Sequence, residues 1–283
     1  MALKILSPAK VNLFLRVLGK RPDGYHDIFS LMQPVSLYDE IDMEAGDGEG
    51  ISVSSDSPAL PTGAENLAHR AASAFLTRLG KSRSVGIHIK KRIPVGAGLG
   101  GGSSNAASVL MGLNELTAAG FDESALMEIG SALGSDVPFF ILKSAALAEG
   151  RGTELKRVKV PEFGYILINP GYHVSTARVY GNLDLTKKPE NNKLTYSVES
   201  LGVGPGVGEL LYNDLERVTL SEHPDLGEYK SILVKNGALG ALMSGSGPTV
   251  FGVYKDGGSA QKAYAAVRAR IDERVSVFAV KGL

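Results

Sequence analysis

The stretch PVGAGLGGGSSNAAS, residues 94–108, contains five glycines between positions 96 and 102. A buried strand or helix does not tolerate that density, because glycine loses much conformational freedom on folding and brings no side chain to pack. Ser103, Ser104 and Asn105 follow the glycines and are good helix N-caps, and the apolar residues after them recur at helical spacing. The pattern predicts a glycine loop that leads into a helix N-terminus, an arrangement that favours a bound anion such as phosphate.

The balanced charge of the chain indicates that anion binding would depend on this segment and not on an overall positive charge. The 283 residues are enough for two domains, and 30 basic residues balance 30 acidic ones, so no overall field favours nucleic acid or an anionic membrane. The absence of cysteine excludes disulfides, thiolate metal sites and a cysteine nucleophile, and suits a reducing cytosol. The N-terminus lacks the apolar segment of a signal peptide, and no apolar run approaches the roughly 20 residues of a membrane span. We expect a cytoplasmic protein with no nucleic-acid or membrane partner.

The order of apolar patterns predicts an α+β protein with a division near residue 154. Residues 3–43 favour strands interrupted by the turn KRPDGYHD at 20–27, and LGVGPGVG at 201–208 is typical of a flexible connector. A helix capped by Thr62 or Asn66, a strand at 84–91 and a helix at 122–133 surround the glycine loop and its helix. Beyond residue 155, we predict strands at 163–169, 241–244, 248–254 and 275–281, and helices near 208–217, 225–236 and 258–273.

The glycine loop has three local interpretations besides a triphosphate site. It is not a Walker A loop, because no Gly-Lys-Ser/Thr follows it. It matches the dinucleotide pattern G-x-G-x-x-G through Gly96, Gly98 and Gly101, but the expected acidic strand end about 20 residues later is missing. A plain structural loop is the third possibility, although five glycines and two serines exceed what a turn needs.

Three segments resemble the motifs of the superfamily that contains galactokinase, homoserine kinase, mevalonate kinase and phosphomevalonate kinase. They are PAKVNLFL at 8–15, the stretch from Pro94 to Ser104, and MSGSGPTVFGV at 243–253. The resemblance implies a two-domain small-molecule kinase fold. Residues 1–154 would form a domain like the second domain of ribosomal protein S5, residues 155–283 a ferredoxin-like α/β sandwich, and the active site the cleft between them.

The same resemblance implies ATP as co-substrate with Mg²⁺, the metal being held largely by phosphates and water rather than by a protein ligand set. We further expect a monomer or a weak homodimer. The implied ATP-binding residues are those of the glycine loop: Pro94, Val95, Gly96, Ala97, Gly98, Leu99, Gly100, Gly101, Gly102, Ser103 and Ser104.

The segment KRPDGYHDIFSLMQPVSLYDEI at 20–41 resembles one branch of the superfamily, together with LGSDVPFF at 133–140 and NDLE at 213–216. That branch phosphorylates the 2-hydroxyl of 4-diphosphocytidyl-2-C-methyl-D-erythritol in the non-mevalonate isoprenoid pathway. The resemblance implies that the substrate-binding residues are Tyr25 and Tyr180, which would sandwich the cytosine, His26 on the base edge, and Asn12 on the methylerythritol hydroxyls. The alternative is a sister kinase for another small alcohol, such as homoserine, which has no use for the GYHD segment.

Two charged residues are the candidates for catalysis. Asp136, before Pro138, could simply cap a following turn, and Lys10, in an apolar strand, could extend its ammonium to the surface. The resemblance favours Asp136 as the catalytic base, with Lys10 keeping that carboxylate ionised and lowering the pKa of the substrate hydroxyl. A non-catalytic nucleotide-binding module would have lost one of the two. The other histidines, which include His173 and His223, lack metal-ligand spacing and are interpreted as surface or turn residues.

Overall fold

The computed structural model describes residues 2–186 and 206–283, which form two compact units. Among the described residues, the first unit contains 2–9, 37–95 and 100–144, and the second contains 10–36, 96–99, 145–186 and 206–283. Both units are therefore discontinuous in sequence. The domain division at residue 154 stays a prediction.

Two long strands contribute residues to both units. Strand β1 is Ala2–Lys20 and strand β2 is His26–Gly46, and the predicted turn at 20–27 separates them. In the first unit, β2 pairs antiparallel with β4, Ser84–Lys90, which pairs parallel with β3, Ile51–Ser55. Alternating burial along β4 confirms the predicted half-exposed strand that leads into the glycine loop.

The first unit also contains four helices. They are α1, Leu67–Leu79; α2, Gly101–Leu116; α3, Glu123–Leu133; and α4, Val137–Leu142. Helix α2 packs against the other three and is buried over most of its length. Asn66 and Asp122 cap α1 and α3, accepting hydrogen bonds from the backbone of Ala68 and Ala125. Helix α2, which follows the glycine loop in the chain, is therefore the central helix of the first unit.

The start of α2 differs from the prediction. The helix begins at Gly101 with Gly100 in the capping position, so Ser103, Ser104 and Asn105 lie inside it and the expectation that they cap it was wrong. The glycines continue directly into the helix, although glycine is about 1 kcal/mol less favourable than alanine in a helix interior. Ser104 and Asn105 are buried and use their side chains for tertiary hydrogen bonds.

The second unit contains a four-stranded antiparallel sheet in the order β11-β7-β10-β9. The strands are β7, Gly164–Asn169; β9, Gly240–Met243; β10, Val250–Tyr254; and β11, Ser276–Lys281. Helices α8, Asp225–Lys235, and α9, Gly257–Arg268, pack on it around a core that includes Ile166, Leu233 and Val250. This arrangement confirms the predicted α+β sandwich of the C-terminal half.

The remaining elements of the second unit are short. β1 pairs parallel with β8, Tyr212–Asn213, while β2 pairs with β5, Ala146–Glu149, which pairs with β6, Glu154–Arg157. Helix α5 is Thr176–Gly181, α6 is Val207–Leu210 and α7 is Glu216–Glu222. No helix in residues 2–186 and 206–283 has both the length and the apolar surface needed to cross a bilayer.

The predicted helix near 208–217 was wrong. Strand β8 interrupts it, because Tyr212 and Asn213 pair with β1 and the Asn213 side chain is engaged with a distant loop. A tertiary contact across the chain therefore overrides the local helical pattern. Residues 201–205 of the predicted connector lie outside the described residues.

Candidate active site

The glycine loop alternates residues of two kinds. Gly96, Gly98 and Gly100 have positive φ angles of +63°, +76° and +70°, which side-chain-bearing residues rarely adopt. Ala97 and Leu99, between them, are 3% and 1% exposed. The two side chains anchor the loop in the protein, and the glycines between them turn the backbone without a Cβ. Successive amides in such a turn form a concavity suited to an anion.

The helix that follows the loop has the features of a phosphate site. The capping residue of α2 is Gly100, which has no side chain that could accept from the first turn. The N–H groups of a first turn have no partner within the helix. A Cβ at Gly101 would lie 3.0 Å from the Lys91 ammonium nitrogen, whose charge is paired with Asp39. The helix dipole favours a negatively charged ligand at this turn.

Lys10 lies at the start of a buried chain of hydrogen bonds in the second unit. Its ammonium donates to Asn12 Oδ1 at 2.6 Å, Asn12 Nδ2 donates to Ser30 Oγ at 2.9 Å, and Ser30 Oγ donates to the Phe14 carbonyl at 2.7 Å. Lys10, Asn12 and Ser30 are all buried. Lys10 therefore does not extend to the surface as the snorkelling alternative required, and its ammonium is held in one position.

The third glycine-rich segment lies against both the loop and Lys10. Ser244 Oγ donates to the Gly98 carbonyl at 2.9 Å, and a Cβ at Gly98 would overlap the Ser244 carbonyl oxygen. A Cβ at Gly245 would lie 3.5 Å from Lys10 Nζ and 3.5 Å from Asn12 Oδ1. The backbone N–H of Lys10 donates to the Leu99 carbonyl at 3.0 Å. Three segments that are far apart in sequence thus meet within the second unit.

The NDLE segment holds the third glycine-rich segment in place. Asn213 Nδ2 donates to the carbonyls of Met243 and Gly245 at 2.8 and 2.7 Å. Glu216 accepts from the Met243 backbone N–H at 3.0 Å and from Lys230 Nζ at 2.6 Å. These positioning roles were not predicted, since the sequence indicated only a resemblance at 213–216.

Asp136 lies in the first unit at the turn between α3 and α4. It occupies the capping position of α4 but makes no side-chain capping hydrogen bond, which argues against the interpretation that it is only an N-cap. Two residues before it, a Cβ at Gly134 would lie 3.8 Å from Ser103 Oγ in the first turn of α2. The Asp136 turn is therefore next to the start of the helix that follows the glycine loop.

Two of the three predicted aromatic residues are in contact in the second unit. The His26 and Tyr180 rings have centroids 4.9 Å apart and planes tilted by 32°. Tyr25 is 52% exposed, and the Arg151 guanidinium carbon lies 5.3 Å from its ring centroid. Burial, with a contribution from Lys20, lowers the pKa of His26 below its ordinary value, so the imidazole is neutral at neutral pH. Arg151 was not among the predicted site residues.

A buried carboxylate, Asp39, ties the elements around the loop together in the first unit. It is fully buried and accepts hydrogen bonds from Lys91 Nζ at 2.6 Å, Asn105 Nδ2 at 2.9 Å, and the backbone N–H groups of Arg92 and Ile93 at 2.8 and 2.9 Å. Burial lowers the pKa of Lys91, and the charge of Asp39 opposes that shift. Asp39 was not among the predicted site residues.

Removing this carboxylate should destabilise the protein strongly. Asp39→Ala leaves the buried Lys91 ammonium without its partner, and we expect a loss of about 3 kcal/mol in the free energy of unfolding. Asp47→Ala is the matched control, since its carboxylate is fully exposed and pairs with Arg83. Urea denaturation of both variants measures the difference. Equal midpoints for the two variants would contradict the structural role of Asp39.

Two family models match stretches of the chain that contain these segments. The family described as GHMP kinases N terminal domain matches residues 66–144, and that described as GHMP kinases C terminal matches residues 198–273. The first match includes the glycine loop and Asp136, and the second includes Asn213 and the third glycine-rich segment. The class is therefore that of the GHMP kinases, as the three motifs had predicted.

Two curated relatives refine that class. A 4-diphosphocytidyl-2-C-methyl-D-erythritol kinase of Geobacter sp. (strain M21) is 51% identical over 94% of this chain and 94% of its own length. One of Syntrophotalea carbinolica is 51% identical over 91% of each chain. This chain belongs to the family of the 4-diphosphocytidyl-2-C-methyl-D-erythritol kinases, which confirms the predicted branch over the homoserine kinase alternative.

Solved structures agree with this assignment. A crystal structure of a 4-(cytidine 5'-diphospho)-2C-methyl-D-erythritol kinase has a TM-score of 0.84 at 37% identity, covering 99% of this chain and all of the other. A homoserine kinase from Cytophaga hutchinsonii has a TM-score of 0.73 at 20% identity, covering 100% of this chain and 94% of the other, and shows the same fold. The roles of the individual site residues stay predictions.

Proposed function

We propose that this protein transfers the γ-phosphoryl group of ATP to the 2-hydroxyl of 4-diphosphocytidyl-2-C-methyl-D-erythritol. The observation that supports this substrate over that of a sister kinase is the contact between His26 and Tyr180 in the same unit as the exposed ring of Tyr25. The relatives named above act on that alcohol by name, and they match this chain over more than nine tenths of its length.

The glycine loop is proposed to bind the triphosphate. The positive-φ glycines and the uncapped first turn of α2 present backbone N–H groups, which suit phosphate oxygens. Ser103 is partly exposed, whereas Ser104 is fully buried and accepts a hydrogen bond from Ser7 Oγ at 2.7 Å. Of the two serines, Ser103 is therefore the better candidate for an oxygen near the phosphates. A phosphate contact of Ser104 stays a prediction.

Lys10 and Asp136 are proposed to act on the transferred group and on the acceptor hydroxyl. Phosphoryl transfer needs neutralisation of the charge on the phosphoryl oxygens and a group that accepts or orients the proton of the attacking hydroxyl. The buried Lys10 ammonium, fixed by Asn12, supplies positive charge. The Asp136 carboxylate accepts the proton. Mg²⁺ bound with ATP would neutralise further negative charge on the phosphates. The phosphates and water, rather than a cluster of carboxylates, would hold the metal.

The aromatic residues are proposed to bind the cytosine. A planar base can stack on the exposed face of Tyr25 and against Tyr180, while the neutral His26 can exchange a hydrogen bond with the base edge. The Arg151 cation beside Tyr25 suits the diphosphate of the same substrate. We further propose that the enzyme acts in the cytoplasm as a monomer or a weak homodimer, and that it binds neither nucleic acid nor membrane.

Removing the Tyr25 ring should weaken binding of the alcohol and leave ATP binding unchanged. Because stacking on an aromatic ring contributes about 1–3 kcal/mol per base, Tyr25→Ala should raise the KM for the cytidyl alcohol by about 5- to 150-fold. Tyr25→Phe keeps the ring and should stay within about 3-fold of the wild type. Initial rates at varied alcohol and saturating ATP measure both variants. If Tyr25→Ala and Tyr25→Phe behave alike, Tyr25 does not stack on the base.

The experiment that tests the function is ADP release with a choice of acceptors. The purified protein with Mg·ATP is offered 4-diphosphocytidyl-2-C-methyl-D-erythritol, homoserine or mevalonate in separate reactions. We expect turnover with the first and none above background with the other two. Turnover of homoserine or mevalonate without turnover of the cytidyl alcohol would overturn the proposed substrate and keep the kinase class.

A further inference from the structure

His173 lies against the tip of the glycine loop, a position that no sequence motif predicted. A Cβ at Gly96 would overlap the Cδ2 atom of the His173 imidazole and would lie 2.8 Å from its Nε2 atom. The two residues are 77 positions apart in the chain and belong to the same unit. Gly96 is therefore restricted twice, by its positive φ angle and by the imidazole that occupies the space of a side chain.

The segment that bears His173 is fixed on both sides. Before it, Asn169 is buried, donates to Thr249 Oγ1 at 2.9 Å and accepts from the Gly171 N–H at 3.0 Å. After it, the Thr176 hydroxyl is hydrogen-bonded to Ser246 Oγ at 2.8 Å. Both Thr249 and Ser246 belong to the third glycine-rich segment, which also contacts the glycine loop. The backbone around His173 is therefore hydrogen-bonded to that segment.

The adjacent residue, Tyr172, fixes the segment from a third direction. Its hydroxyl donates to the Asp225 carboxylate at 3.0 Å, and its ring stacks on His223 with centroids 4.5 Å apart and planes 20° from parallel. Contacts of Asn169, Thr176 and Tyr172 therefore fix the backbone position from which the His173 ring contacts the loop. The residue itself is exposed, so the contact lies at the open side of the loop.

We infer that His173 is a positioning residue that packs against Gly96 and holds the glycine loop in its nucleotide-binding conformation. The inference rests on the proposed function only in requiring that this loop binds ATP. It identifies a reason for glycine at position 96 that phosphate geometry alone does not supply. Loss of the imidazole should loosen the loop, weakening ATP binding more than it changes the rate of the chemical step.

A double-mutant cycle between the two positions tests the inference. Its readout is the affinity for Mg²⁺ with a non-hydrolysable ATP analogue, measured by titration calorimetry, which does not require the alcohol. Gly96→Ala should weaken binding by about 100-fold or more, because the new methyl group meets the imidazole and also strains the backbone. In the His173→Ala background only the strain remains, so the same change should cost about 5- to 30-fold.

Gly98→Ala is the control for general loosening. Its Cβ would meet the Ser244 carbonyl, which the loss of His173 does not remove, so its effect should be the same in both backgrounds. An equal loss for Gly96→Ala in both backgrounds would overturn the inference. The inference would also be overturned if the His173→Ala background reduced the effect of Gly98→Ala as much as it reduced that of Gly96→Ala. If the wild type binds no nucleotide analogue, both the inference and the proposed function are wrong.

Single variants decide the matter if Gly96→Ala does not fold. His173→Ala should weaken analogue binding and raise the KM for ATP by about 5-fold, with kcat changed by less than about 2-fold. His88→Ala removes an imidazole that is hydrogen-bonded to Ser54 Oγ at 2.9 Å in the first unit, and should leave the affinity within about 2-fold. Equal effects of the two histidine variants would show that His173 has no special relation to the loop.

Discussion

Asp136→Asn is expected to lower kcat by about 10²- to 10⁴-fold while the affinity for Mg·ATP stays within about 2-fold. The amide has nearly the shape of the carboxylate but cannot accept the proton of the acceptor hydroxyl. The exchange keeps the size of the side chain at the start of α4. Steady-state kinetics with the cytidyl alcohol and calorimetric titration with the ATP analogue measure the two quantities separately.

Asp122→Asn is the matched control for this prediction. Asp122 caps α3 by accepting from the Ala125 N–H at 2.8 Å, and asparagine caps helices equally well. This variant should keep wild-type kcat. A kcat near wild type for Asp136→Asn would remove Asp136 as the base.

Gly98→Ala is expected to reduce kcat/KM for ATP by about 10²-fold or more, because it displaces the loop at its centre. The new Cβ would overlap the Ser244 carbonyl oxygen, a backbone atom that no side-chain rotation can move away. It would also impose a φ angle of +76° on a residue with a side chain. Initial rates at varied ATP measure the loss.

Gly120→Ala is the control that distinguishes steric overlap from backbone strain in Gly98→Ala. Gly120 has a φ angle of +73°, and nothing lies within 4 Å of its Cβ position, so alanine there adds strain without overlap. This variant should lose some stability and keep its kcat/KM. If Gly98→Ala also kept full activity, the close approach of the third glycine-rich segment to the loop would have no functional role.

Much of the fold follows from local patterns in the sequence. The alternation along β4, the capping residues Asn66 and Asp122, and the four strands of the C-terminal sheet were predictable, because each depends on residues that are neighbours in the chain. The glycine loop was predictable for the same reason. Its identity as a kinase loop required the two companion segments, which the structure places beside it.

The parts that sequence did not predict depend on distant contacts. Asp39 was not a predicted site residue, and only the structure shows four donors around it. Asn213 interrupts a helical pattern because it binds carbonyls 30 and 32 residues away. His173 resembles any histidine in a turn until the chain folds Gly96 against it. No periodicity or capping signal encodes such pairings, since each partner is compatible with many local structures.

The most direct test of the proposed reaction is the ³¹P spectrum of the product formed from Mg·ATP and 4-diphosphocytidyl-2-C-methyl-D-erythritol. The carbon that bears the 2-hydroxyl also bears the methyl branch and has no hydrogen. A phosphate ester at this position should therefore give a monoester signal without coupling to a proton on the ester carbon, together with one equivalent of ADP. A monoester signal split by protons on its ester carbon, or ADP release without any new monoester, would contradict the proposed transfer.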